Sequence, residues 1–332
     1  MSWIGGVTAI LGLIFGLQQL FGVVGGWRQK QQRTAELIAV AREQRESRHY
    51  AEAWSSLEEA AKVDDDNAAV AAAQEDLAMV WLREARVRVG EQTFSDLVKP
   101  LLPVLERGAL KADGSRKADL LAHAGWADFL RWRDGARDVA ADAQYKRALD
   151  VDAKNPFAHA MWGHWILFTG GDVKSARDHF DAAMSSNRER KYVRSLQVAA
   201  VTNMSGDDGS AEQLRLANDM RQHGDSMDEA SRRRIFWEIC ITSARHTEGW
   251  KRSPDRISPN DEIATLRWLA TGNRDEYRAD MLQFCEARAS AWAGDTVRAL
   301  NTLRRLETNA AGDATRWDAK QVAQRLAQSH KR

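Results

Sequence analysis

A segment near the start of the chain, residues 34–67, has the pattern of one antiparallel helix pair. Apolar residues recur at helical spacing in both halves, Arg48 and His49 separate the halves, and the polar run 64–67 ends the second half. Small residues where two helices cross, with large residues beside them, permit ridge-into-groove packing. The residues predicted to pack in this pair are Leu37, Ala41, Tyr50, Ala53, Leu57 and Ala60.

The same order of features returns further along the chain. Two stronger copies and two weaker ones span residues 120–156, 157–184, 268–284 and 287–307. A glycine suited to a tight turn stands inside each copy, at Gly135, Gly170, Gly272 and Gly294. The residues predicted to pack in the two stronger copies are Gly125, Ala141, Tyr145, Ala148, Trp162, Gly163, Ala176 and Phe180.

Residues 34–67 resemble the tetratricopeptide repeat (TPR) in length and in the order of large, small and aromatic positions. Arg48 stands where the family often has glycine, and Asp65 stands where it often has proline. The resemblance covers about half of the chain after the first 33 residues. It implies an all-α fold, a TPR-like α-α solenoid of stacked helix pairs that binds a protein partner on its concave surface. Ile38 and Ala39 do not match the lysine and asparagine with which some members hold a C-terminal carboxylate.

The first 27 residues contain no Asp, Glu, Lys or Arg. As an α-helix, residues 4–26 would extend roughly 34 Å at about 1.5 Å per residue, which covers the ~30 Å hydrocarbon core of a bilayer. Trp3 and Trp27 stand at the two ends of this stretch, where indole rings favour the membrane interface. The sequence therefore predicts that the solenoid is preceded by one N-terminal transmembrane helix, residues 1–27, that anchors it in a lipid bilayer.

A basic flank follows the predicted anchor directly and contains Arg28, Lys30 and Arg33 but no acidic residue. The positive-inside rule keeps such a flank in the cytoplasm. This predicts a single-pass protein of a bacterial inner (plasma) membrane with its soluble part in the cytoplasm. A cleaved signal peptide and a reversible or interfacial insertion are the alternatives. The uncharged start argues against the first, and the seven glycines of residues 1–26 favour the second.

Small residues line one face of the predicted membrane helix, and a glutamine continues that face. Small residues let two membrane helices approach closely, and a glutamine in hydrocarbon gains from an interhelical hydrogen bond. The pattern predicts a homo-oligomer formed through the anchor, although glycines are also common in membrane helices without such a role. The face consists of Gly5, Ala9, Gly12, Gly16 and Gln19.

Composition and motifs argue against catalysis and nucleic-acid binding. The 48 basic and 47 acidic residues leave a formal net charge of +1, so no overall field attracts nucleic acid. The sequence has no HExxH, no phosphate-binding glycine loop and no GxSxG motif, and we predict no enzymatic activity, no cofactor and no metal. Cys240 and Cys285 form no CxxC pair, so buried free thiols in a reducing compartment are expected, with one disulfide as the alternative.

Prolines mark two interruptions of the helical pattern. Pro100 and Pro103 are expected to interrupt residues 68–118, and Ser258 and Pro259 are expected to start the helix that follows a linker. The predicted segments are the anchor (1–27), the basic flank (28–33), a TPR-like helical solenoid (34–250), a linker or hinge (251–260) and C-terminal TPR-like pairs (261–332).

These features predict a scaffold or adaptor that holds a protein partner at the cytoplasmic face of the membrane. Two alternatives stay open. One is a membrane-active effector whose glycine-rich N-terminal helix oligomerises in the bilayer, and the other is a periplasmic assembly factor with the opposite topology. The sequence does not identify the partner groove. Its 13 tryptophans are expected to fill spaces between helices, with Trp162 and Trp165 as the best groove candidates.

Overall fold

The computed structural model describes residues 27–85, 93–245, 257–272 and 276–329. Every regular element within these ranges is a helix, which confirms the prediction of an all-α fold. The helices are α1 (residues 27–46), α2 (Tyr50–Val63), α3 (Ala68–Glu84), α4 (Phe94–Lys111), α5 (Gly114–Arg133), α6 (Ala141–Val151), α7 (Pro156–Phe168), α8 (Val173–Ser185), α9 (Arg190–Val201), α10 (Gly206–His223), α11 (Glu229–Arg245), α12 (Pro259–Ala270), α13 (Glu276–Trp292), α14 (Thr296–Asn309) and α15 (Asp313–Ser329).

The chain divides into two compact units. Unit 1 consists of residues 1–165 and 181–188, and unit 2 consists of residues 166–180 and 189–332. Most of the predicted linker, residues 251–256, lies outside the described residues. Its last part does begin α12 as expected, because the Ser258 side chain accepts a hydrogen bond from the backbone N–H of Asp261 and proline follows the serine.

Helices that are neighbours along the chain pack against each other in unit 1. Contacts join α2 to α3, α3 to α4, α4 to α5, and α5 to α6, and α3 also contacts α5. The helix α1 joins this series because Leu37 packs with Ala60 of α2 and Val70 of α3. The odd-numbered helices α1, α3 and α5 therefore lie side by side.

Two ion pairs fix the direction of α1 against α2. The ammonium of Lys30 lies 3.0 Å from a carboxylate oxygen of Asp64, and the guanidinium of Arg33 lies 2.9 Å from that of Glu59. The first turns of α1 thus contact the last turns of α2, and the two helices run antiparallel. The residues predicted as a basic flank form the start of α1.

Most residues predicted to pack in helix pairs have little exposed surface. Buried are Leu37, Ala41, Ala53, Leu57, Ala60, Gly125, Ala141, Tyr145, Ala148, Gly163, Ala176 and Phe180, whereas Tyr50 and Trp162 are partly buried. At Gly125 the reason is direct, because a Cβ there would lie 2.6 Å from Cε1 of Tyr145 and 3.1 Å from the carbonyl oxygen of Ala141. Only glycine lets α5 and α6 approach this closely.

The turns inside the helix pairs use the left-handed backbone conformation. The glycines predicted for these turns all have positive φ, namely Gly135, Gly170, Gly272 and Gly294. Arg48, which stands where the TPR often has glycine, also has a positive φ of 62°. This conformation costs an L-residue roughly 1–2 kcal/mol. The α1–α2 turn therefore has the left-handed geometry although it lacks the glycine that would favour it.

The expectation that Pro100 and Pro103 break the helical pattern is wrong. Both lie inside α4, which is continuous from Phe94 to Lys111. Both prolines are on the exposed side of the helix, where water can satisfy the carbonyl groups that lose a backbone donor. A capping box formed by Thr93 and Asp96 stabilises the start of α4.

Unit 2 repeats the sequential packing from α9 to α15, and the next-but-one pairs α10–α12, α11–α13 and α13–α15 also touch. Cys240 and Cys285 are buried in its hydrophobic core. The expectation of free thiols is wrong, because the structure joins the two cysteines in a disulfide with their Cα atoms 5.9 Å apart. Their separation of 45 residues hides this proximity in the sequence, and it arises because α11 packs on α13.

Candidate interaction surfaces

The first groove of unit 1, here called the α1/α3 groove, lies between two odd-numbered helices. Its lining includes Ile38, Arg42 and Arg45 from α1 and Asp76 and Leu77 from α3. Arg42 is exposed and Arg45 is partly buried. The cavity measures about 70 Å³. This is less than the ~150 Å³ of an engineered cavity that binds benzene, so the groove offers a shallow surface rather than an enclosed site.

The second groove, here called the α3/α4 groove, is larger, with a volume of about 330 Å³. Its lining comes from the end of α2, the first half of α3 and the last turns of α4. The apolar part of that lining consists of Ala61, Val70, Ala71, Val104 and Gly108. The volume falls at the lower end of the ~300–1,000 Å³ typical of sites for small molecules.

Charges of both signs line the α3/α4 groove. Asp65 follows α2, Glu75 lies on α3, and Arg107 and Lys111 lie on α4. The two cations are four residues apart on α4 and therefore share one helix face. Both are exposed, and neither forms an ion pair with any residue that the structure describes. They are therefore available to an anion that enters the groove.

Glu75 is held in place by α5. Its Oε2 accepts a hydrogen bond of 2.7 Å from the guanidinium of Arg116, which also donates one of 2.6 Å to Asp76. The other oxygen, Oε1, lies 2.5 Å from the position that a Cβ on Gly108 would occupy. The lack of a side chain at Gly108 therefore makes room for the Glu75 carboxylate beside α4.

The α3/α4 groove lies at the end of unit 1 where α1 begins. Asp64 pairs with Lys30, which is one helical turn after Trp27, and the next residue, Asp65, lines the groove. The side chain of Trp27 is 58% exposed. Leu110, which precedes the groove residue Lys111, is 81% exposed, the highest value among the exposed large hydrophobic side chains of the described residues.

The candidate groove tryptophans contribute to packing in unit 1. The ring of Trp162 lies 6.5 Å from that of Tyr145, and the ring of Trp165 contacts those of Trp132 and Phe129 at 5.4 and 6.1 Å. These rings fill the space between α5, α6 and α7, in keeping with the expected packing role.

A histidine is buried in the same region. His123 is fully buried, its Nδ1 lies 2.7 Å from the carbonyl oxygen of Asp119, and its ring contacts that of Phe157 at 4.8 Å. Its Nε2 has no hydrogen-bond partner among the described residues. Burial, reinforced by the nearby charge of Arg83, lowers the pKa of His123 to about 3 from an ordinary value of 6.5. The imidazole is therefore neutral at physiological pH.

Unit 2 contains a network of charged side chains between α9 and α10. The guanidinium of Arg194, although buried, pairs with Asp219 and Asp225 and donates a 2.7 Å hydrogen bond to Gln197. Arg190 contributes two further hydrogen bonds to Asp225, at 2.9 and 2.7 Å. Burial opposes the ionised form of Asp225, but the bonds from Arg190 and Arg194 prevail and lower its pKa. The network joins the helices as a structural element.

The predicted membrane residues lie mostly outside the described part of the chain. These are Trp3 and the small-residue face of Gly5, Ala9, Gly12, Gly16 and Gln19. Over the described ranges, no helix has both the length and the apolar character needed to cross a bilayer. In the same ranges, no three His, Cys, Asp or Glu side chains are arranged to hold a metal ion.

Comparisons with protein-family models, with curated proteins and with solved structures gave no match for this chain. Sequence reasoning missed the α3/α4 groove. The available signal was the pair Arg107 and Lys111 at helical spacing beside Leu110, and it was hidden by the expectation that Pro100 and Pro103 break this helix.

Proposed function

We propose that this protein is a membrane-anchored, TPR-like scaffold that binds a protein partner on the surface of its stacked helix pairs. The observation that carries the proposal is the packing order of unit 1, in which each helix meets its neighbour and the odd-numbered helices lie side by side. This is the arrangement of an α-α solenoid, whose adjoining first helices form an extended binding surface. The α1/α3 groove belongs to that surface.

The anchor in this proposal is the uncharged segment 1–27. It is long enough to span a bilayer, and it leads directly into α1, where Trp27 is exposed. Tethering the solenoid in this way would raise the effective concentration of its partner at the membrane. Association of several copies through the anchor would strengthen this effect.

Two observations favour opposite sides of the membrane for the helical units. The basic flank with Arg28, Lys30 and Arg33 favours the cytoplasm. The disulfide between Cys240 and Cys285 favours an oxidising compartment and supports the second candidate function, an extracytoplasmic assembly factor with the same binding surface. We take the cytoplasmic scaffold as the leading proposal because the flank adjoins the anchor and acts on its insertion.

The binding surface is tested with a photo-crosslinking amino acid placed, one site at a time, in the full-length chain in its native cells. Arg42 and Arg45 probe the α1/α3 groove, and the exposed residues Glu52 and Ser55 of α2 are matched controls. The proposal expects one and the same protein to be crosslinked from both groove positions and not from the controls. Equal crosslinking from all four positions, or none from the groove, would refute it.

The side of the membrane is tested with a C-terminal tag and protease treatment of intact and broken spheroplasts. The leading proposal expects the tag to pellet with membranes and to be digested only after breakage. Digestion from outside, together with oxidised Cys240 and Cys285 after acid quenching and thiol alkylation, would establish the extracytoplasmic alternative. A tag that stays in the soluble fraction would show that neither the cytoplasmic scaffold nor the extracytoplasmic factor is anchored in the membrane.

A further inference from the structure

The α3/α4 groove has features that a protein-binding surface does not require. Its lining combines apolar residues with the carboxylates of Asp65 and Glu75 and with two cations of α4 that form no ion pair with the described residues, in a volume of about 330 Å³. A ligand that satisfies all of these must carry an anionic and a cationic group a short distance apart, with an apolar part next to them. The groove therefore calls for a zwitterionic amphiphile.

Its position explains where such a ligand would come from. If the uncharged segment spans the bilayer, as the proposed function requires, Trp27 lies at the interface between headgroups and hydrocarbon. Lys30 is about 4.5 Å further along the axis of α1 and pairs with Asp64, whose neighbour Asp65 lines the groove. The groove then opens at the depth of the lipid headgroups.

The exposed side chain beside the groove fits the same environment. Leu110 is 81% exposed to solvent although it adjoins Lys111 on the last turn of α4. In water this leucine is unpartnered, whereas at the bilayer surface it would enter the boundary between headgroups and acyl chains.

We propose that the α3/α4 groove binds the headgroup of an aminophospholipid from the bilayer in which the chain is anchored. The phosphate lies between Arg107 and Lys111, whose charged donors suit phosphate oxygens. The ammonium lies against the exposed carboxylate of Asp65. The glycerol end of the lipid rests on the apolar residues Ala61, Val70 and Ala71. This inference rests on the proposed anchor.

Native mass spectrometry of the full-length chain, released from nanodiscs that contain phosphatidylethanolamine and phosphatidylcholine in equal amounts, tests the proposal. The test variant is Arg107→Gln with Lys111→Gln. The control variant, Lys146→Gln with Lys154→Gln, removes the same charge from exposed positions of the same unit that line neither groove. Wild type and control are expected to retain one phosphatidylethanolamine, and the test variant to retain it at least about tenfold less, as the loss of two charged donors implies.

Two further arms make the result decisive. Asp65→Asn is expected to abolish the preference for phosphatidylethanolamine over phosphatidylcholine, whose quaternary ammonium cannot donate hydrogen bonds. Soluble phosphoethanolamine and inorganic phosphate, titrated separately, distinguish a headgroup site from a general phosphate site. Unchanged retention in the Arg107 and Lys111 variant, retention of phosphatidylcholine to the same extent by wild type, or competition by phosphate alone would overturn the proposal.

Failure of the anchor can be told apart from failure of the groove. A chain that does not float with liposomes lacks the anchor. Binding of monomeric dihexanoyl phosphatidylethanolamine, measured by calorimetry on the full-length chain, does not depend on the anchor. Floating without this binding overturns the lipid site alone. Binding without floating leaves the site intact and overturns the anchor. Circular dichroism spectra that match wild type are required of every variant.

Discussion

The buried imidazole of His123 should make unit 1 sensitive to mild acid. The folded chain holds His123 neutral down to a pKa of about 3, because burial and the charge of Arg83 oppose its protonation. In the unfolded chain the same group binds a proton near its ordinary value of 6.5. Below pH 6.5, His123 is therefore protonated in the unfolded chain but stays neutral in the folded chain. This contribution to stability is therefore complete above pH 6.5 and is lost as the pH falls.

The magnitude follows from proton linkage. Between about pH 7.5 and about pH 5, one group with these two pKa values lowers the free energy of unfolding by about 2 kcal/mol. The figure hardly depends on the folded-state pKa, because a group that titrates near 3 is almost fully neutral in the folded chain at pH 5. A fall of this size is large against the usual total stability of a domain, about 5–15 kcal/mol.

The assay is urea unfolding of the full-length chain in a non-ionic detergent at both pH values. Pulsed amide exchange in peptides from α5 reports the unfolded fraction of unit 1 separately. His123→Asn retains a donor for the carbonyl oxygen of Asp119 but cannot titrate, so its unfolding free energy should fall by about 2 kcal/mol less than that of wild type over the same pH range. His49→Asn, at an exposed position, should follow wild type. An equal pH dependence in wild type and His123→Asn would refute the reasoning.

Three further predictions concern the packing of the helices. Gly125→Ala should destabilise unit 1 by about 1–2 kcal/mol, because the new methyl group meets Tyr145 at 2.6 Å while alanine returns some helix propensity; unchanged thermal unfolding would contradict this. Arg48→Gly should stabilise the chain by about 1 kcal/mol, because glycine accepts the positive φ of that turn, and a loss of stability in urea would show that the arginine makes a contact that outweighs strain. Reduction should destabilise unit 2 by about 4 kcal/mol in the chain-entropy model, and Cys240→Ala should make its melting insensitive to reductant; wild type that is equally insensitive would argue against the disulfide with Cys285.

The helix pairs were predictable because their signal is local. Ala53 and Ala60 stand seven residues apart on one face of a helix, and a small residue at such a position reveals a crossing helix whatever lies beyond it. The glycines of the turns are equally local, since positive φ is a property of one residue. Arg48 shows the limit of that inference. Its turn has the same conformation without glycine, because the packing of α1 on α2 fixes the backbone.

The grooves could not be predicted because they depend on residues far apart in the chain. Asp65 and Arg107 line one cavity only because the end of α2 and the last turns of α4 meet across α3. The effect of Pro100 was misjudged for a related reason. The sequence shows the missing backbone donor, but only the structure shows that the residue faces solvent, where water compensates for it. The pairing of Cys240 likewise follows from the contact of α11 with α13.

The basic flank and the disulfide, which favour opposite sides of the membrane, report on different stages in the life of the chain. The positive-inside rule concerns the charges of the flank while the anchor inserts, before α1 has folded. In the folded chain Lys30 and Arg33 are paired with Asp64 and Glu59, so the flank then offers less free positive charge than its sequence suggests. The disulfide instead reports the compartment in which unit 2 resides after folding. A chain found oxidised in its cells would therefore show that insertion did not follow the flank.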